Sequence, residues 1–78
     1  MRDVLEKSQR DWTGSLRRAA EIAVEEGHFR ADLDCEQFAY ELYSLLLGGH
    51  HYGRLLRDPK AAKRTLRAFD SLARAARP

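Results

Sequence analysis

Apolar residues recur along this chain at helical spacing in three stretches, and no stretch shows the two-residue alternation of a strand. The first runs from about Asp3 to Glu26. Leu5, Trp12, Leu16, Ala19, Ala20 and Ala23 follow at spacings of 7, 4, 3, 1 and 3, which is one face of a helix. Arg10, Arg17, Arg18, Glu21 and Glu25 take much of the other side. Arg18 is spaced to pair with Glu21, three residues on, whereas Glu25 is expected out of reach. Gly14 weakens the stretch by about 1 kcal/mol relative to alanine. Gly27 is placed to end it as a left-handed residue.

Residues 28–33 form a connection whose Phe29 and Leu33 are expected under the core. Asp34 and Gln37 then make an Asp-x-x-Gln start, a relative of the capping box. The second helix is expected from Cys35 to about Arg54. Between Phe38 and Gly49 its only clearly hydrophilic residues are Glu41 and Ser44. A helix apolar nearly all round has no face to spare for water, so it should be covered on several sides. Two other helices cannot do that alone, and one side is expected to meet another molecule. Gly48, Gly49 and Gly53 read equally as a kink or as points of close packing. After Leu55-Leu56-Arg57, Asp58 and Pro59 are expected to cap and open a third helix over about 59–76. Ala62, Leu66, Phe69, Leu72, Ala73 and Ala76 form its apolar side, opposite Lys60, Lys63, Arg64, Arg67 and Arg74.

The pattern therefore predicts an all-α fold, read as a single helical domain over residues 1–78. A chain this short buries a modest fraction of its surface, so oligomerisation is a natural remedy. The net charge of +2 hides an asymmetry, with residues 1–53 at net −4 and residues 54–78 at net +6. A solvated helix face explains the basic part better than DNA reading. The start of the third helix is Lys60-Ala61-Ala62-Lys63, without the Asn, Gln, Ser or Thr that read bases.

The single cysteine, Cys35, excludes an internal disulfide and a cysteine-rich zinc site, and favours a reducing, cytoplasmic setting. No strictly apolar run exceeds Leu45-Leu46-Leu47, so no membrane association is expected. His50 and His51 are adjacent, point about 100° apart on a helix, and are poorly placed to share one ion. No metal and no cofactor are expected. Glu25-Glu26, Asp32 and Asp34 read as soluble acids and a cap, and Cys35 as a semi-buried thiol without a base beside it. No catalytic residue is assigned, and the chain is not expected to be an enzyme. Asp70-Ser71-Leu72 matches the serine motif of acyl carrier proteins, but Ser71 lies inside the last helix of a basic segment and the match is coincidental.

Several residues together resemble the C-terminal domain of TetR-family transcription regulators. They are Trp12, Leu16, Ala19 and Ala23, then Glu26-Gly27-His28-Phe29-Arg30, Asp32-Leu33-Asp34 and Glu36-Gln37-Phe38-Ala39. Leu42, Leu45 to Gly48, and Leu55 to Pro59 complete the set. The resemblance implies a three-helix fragment whose last two helices pair with those of a second copy as a four-helix bundle. Carried over, the homodimer interface would use Tyr40, Ser44, Leu47, Gly48 and His51 with Leu66, Phe69, Leu72 and Ala73. A small-molecule effector would lie against Trp12, Leu16, Tyr43 and His50. The family's DNA-binding domain is not in these residues, so the chain is expected to be the C-terminal part of a longer protein that contacts operator DNA elsewhere. The implied function is dimerisation and effector sensing in a transcription regulator. The alternative is a stand-alone adaptor that binds another protein's amphipathic helix.

Overall fold

Two glycine and aspartate signals set the chain's first turn of direction. In the computed structural model, which describes residues 2–78 and side chains from residue 10 onward, helix α1 spans Arg2–Glu25. Met1 and the side chain of Leu5 lie outside the described residues. The helix runs straight through Gly14. It ends where Gly27 takes φ 80°. The amide of His28 donates to Ala23 O (2.9 Å) and that of Gly27 to Val24 O (3.0 Å), a Schellman closure that uses carbonyls the helix leaves free. Arg18 Nη1 approaches both Glu21 (3.7 Å) and Glu25 (3.6 Å), which corrects the expectation for the second pair. Seven residues bring a helix back to nearly the same azimuth, and two long side chains bridge the two-turn gap.

Helix α2 spans Cys35–His50. Asp34 caps it as expected, its Oδ1 accepting the Gln37 amide at 3.1 Å. The helix then loosens into a π-helical turn, His51–Leu55, closed by the Leu56 amide on His51 O at 3.2 Å. Arg57 carries the chain round in the left-handed region at φ 51°. Helix α3 spans Ala61–Ala76, starting two residues past the expected point. The reason is local. Asp58 Oδ1 accepts the Lys60 amide at 2.9 Å and Asp58 O accepts the Ala61 amide, so Asp58 and Pro59 form a turn that leads into the helix rather than its first residues.

The fold is all-α, with no strand among the described residues. Helix α2 is central and packs against both α1 and α3. The core is small: Ala20 of α1, Phe38 of α2 and Ala76 of α3 meet, flanked by Phe29, Leu33, Cys35, Leu42 and Leu72. The Phe29 and Phe38 rings sit 5.1 Å apart and tilted. Trp12 and Ala19, expected on the buried face of α1, are exposed instead, Trp12 at 59%. They lie at the edge of the stripe, too far round from Ala20 to reach α2.

The arrangement leaves much surface uncovered. Its accessible area is 6476 Å² for 9.0 kDa, against about 4,900 Å² for a compact monomer of that mass. The radius of gyration is 14.0 Å, against about 11.5 Å for a compact chain of this length.

Candidate functional site on the flanks of helices two and three

Helices α2 and α3 run antiparallel, and glycine sets how closely they meet. Phe38 near the start of α2 packs with Leu72 and Ala76 near the end of α3. Gly53 faces Ala61, where an added Cβ would lie 3.8 Å from that of Ala61. At Gly49 an added Cβ would come within 2.5 Å of Thr65 Oγ1 and 3.0 Å of its Cγ2, closer than real side chains approach. Close packing is thus the role of Gly49, whereas Gly48 has nothing within 4 Å of where its Cβ would stand. Gly49→Ala is expected to cost about 1–3 kcal/mol of overpacking, offset by up to about 1 kcal/mol of helix propensity. Urea unfolding should show the loss, and Thr65→Ala in the same chain should restore it. A single variant that is more stable than the parent would show the seam to be looser than this.

The seam divides the pair into two flanks. Each residue turns a helix by about 100°, and in antiparallel helices the same sense of turn leads to the same flank. Leu66, Phe69 and Ala73 lie about 60–120° round from the stripe of α3 that faces α2. Tyr43, Leu46 and His50 lie round α2 in the same sense. Together they make one apolar flank, with Leu46 48% exposed, Leu66 68% and Phe69 43%. Ser44 and Gly48 lie on the opposite flank, where they line a cleft with Arg64 and Ala68. Tyr40, Leu47 and His51 are exposed on the side of α2 that faces away from α3.

The expected pairing surface is therefore not brought to one side. Its α3 residues Leu66, Phe69 and Ala73 share a flank with Tyr43 and His50, which were expected in an effector pocket, and with Leu46, which sequence reasoning missed. Leu72 is taken by the core, packed against the Phe38 cluster. The spacing of Leu46, three residues after Tyr43 and four before His50, was the available signal.

The expected effector residues do not converge either. Trp12 and His50 are exposed, Leu16 and Tyr43 half-buried. None of the four lines the cleft between α2 and α3, nor the cavity between α1 and α2 bounded by Arg10, Thr13, Arg17, Glu36 and Tyr40. The α2–α3 cleft measures about 360 Å³ and includes Tyr52, Asp58 and Thr65, none of which is among the residues expected to hold an effector. Cys35 is half-buried, its Sγ 3.7 Å from Leu33 O. Among the described residues, no three His, Cys, Asp or Glu gather as metal ligands. None of the described helices is long and apolar enough to cross a membrane.

Helices alone, with apolar side chains exposed on one flank of a glycine-tightened seam, define an all-α domain. A family model described as tetracyclin repressor-like, C-terminal domain, matches residues 1–69, and the chain belongs to that family. Domains of this family are the regulatory part of TetR-type transcription regulators. No curated protein and no solved structure matches the chain.

Proposed function

We propose that this domain is the dimerisation and effector-sensing part of a TetR-type transcription regulator, and that it pairs with a second copy through the apolar flank of α2 and α3. The observation that carries this reading is the large accessible surface together with the exposed apolar side chains on that flank. The excess over a compact monomer is about 1,600 Å², and a standard interface takes about 800 Å² from each partner. Leu46, Leu66 and Phe69 supply the apolar centre such an interface uses. Two-fold pairing of antiparallel helices on that flank gives the four-helix arrangement expected from the family resemblance. The residues on the other flank, Ser44 and Gly48, then leave the pairing surface.

DNA contacts belong to another part of the parent protein, acting in the cytoplasm. An effector regulates such a dimer only if it binds two arrangements of the pair with different affinity. Light scattering after size exclusion, over a range of concentrations, tests the pairing. The expected mass is twice 9.0 kDa. A monomer at every concentration would put the helix-binding adaptor in its place.

A further inference from the structure

The cleft on the polar flank of the α2–α3 seam holds groups that pairing does not use. Its volume of about 360 Å³ falls at the lower end of the range for small-molecule sites, about 300–1,000 Å³. Leu45, Ala61 and Ala68 give it apolar walls, and Gly48 leaves room where a side chain would stand, while Gly49 is closed off by Thr65. Three of its lining residues carry donor groups: Tyr52, Arg64 and Thr65. None of the three side chains has a hydrogen bond or ion pair among the described residues. The fourth polar wall, Ser44, is already committed, its hydroxyl donating to Tyr40 O at 2.8 Å. Asp58 also borders the cleft, its carboxylate accepting the Lys60 amide.

We propose that this cleft binds a small monocarboxylate with a compact apolar body. A guanidinium is a planar fork of donors matched to a carboxylate. Hydroxyls beside it donate to the remaining lone pairs. The apolar body lies on Leu45, Ala61 and Ala68. Asp58 on the cleft wall disfavours every anion, and a phosphate dianion more than a monoanion. The site is separate from the pairing flank, so a ligand and a second copy do not compete. It deepens the effector-sensing reading, and rests on that reading only for its consequence. Thr65 touches both the cleft and Gly49, so a ligand held by Thr65 bears on the spacing of α2 and α3. A shift of α3 carries Leu66 and Phe69 with it, which couples the cleft to pairing.

The test is a ¹H–¹⁵N NMR titration of the whole chain with benzoate, with benzyl alcohol and inorganic phosphate as controls. Benzoate is expected to move the amides of Gly48, Gly49, Arg64 and Thr65 saturably, with Kd at or below about 1 mM. Arg64→Gln, at an exposed position, should weaken it at least about tenfold without altering the fold. Absence of saturation overturns the proposal. So does equal binding of benzyl alcohol, a response centred on Leu46 and Phe69, or an Arg64→Gln variant that binds as before. A monomeric protein that still binds benzoate in this way supports the cleft and removes the pairing alone.

Discussion

Glutamate at both Leu66 and Phe69 should convert the dimer to monomers while leaving the helices intact. The two side chains are 68% and 43% exposed in the single chain, so removing them takes little from its own core. Glutamate is a good helix former, and α3 already carries Lys63, Arg64 and Arg67 to offset the added charge. In the pair the same positions are covered, and two-fold symmetry counts each substitution twice. Burying a leucine or phenylalanine is worth about 1.5–3 kcal/mol, so the four lost side chains remove about 6 kcal/mol or more. That is roughly four decades in the dimer constant, before the cost of crowding four carboxylates. Circular dichroism should be unchanged and the scattering mass should halve. Ser44→Glu, on the opposite flank, should leave the mass alone. A double variant that stays dimeric, or a Ser44 variant that falls apart, would move the interface to the other side of the seam.

Phe38→Ala should have the largest effect on stability. Phe38 is 6% exposed and, among the described residues, is the one large side chain in the buried cluster, where it holds α1, α2 and α3 together through Ala20, Leu42, Leu72 and Ala76. Its ring also packs at a tilt against Phe29. Truncating a buried phenylalanine costs about 3–5 kcal/mol. Stability of about 0.05–0.15 kcal/mol per residue puts the whole domain at about 4–12 kcal/mol, so the variant should be largely unfolded near the warm end of the parent's stable range. Tyr40→Ala, two residues on and exposed, should change stability by no more than about 0.5 kcal/mol in the monomer. Equal urea midpoints for the two variants would mean the core is not centred on Phe38.

The helices were legible because their ends carry chemical signals. Gly27 takes the left-handed conformation its place at the end of α1 implied, and Asp34 caps Gln37 as its spacing implied. Asp58 misled because the same carboxylate-to-amide bond that caps a helix also closes a tight turn, and its partner here is two residues on rather than three. The orientation of α2 was harder to read. A helix apolar on nearly every side carries no polar stripe to mark which side faces out. Its azimuth is fixed by Gly49 against Thr65, and a glycine contributes nothing to a hydrophobic period. Ser44 and Gly48 were therefore grouped with Leu66 and Phe69, although they lie across the seam from them. Trp12 failed for the opposite reason: its size suggests burial, but the α1 residues that face α2 are Ala20 in the core and Thr13 and Arg17 beside the α1–α2 cavity.

The amide of Arg30, in the loop between α1 and α2, donates to Ala76 O at 2.8 Å. One of the carbonyls that a helix end leaves without a partner is thereby satisfied from the far end of the fold. Exchange of that single amide proton with deuterium reports whether the last turn of α3 is docked. Arg30 is a built-in gauge of local opening, able to separate a ligand that tightens the three helices from one that only sits on their surface.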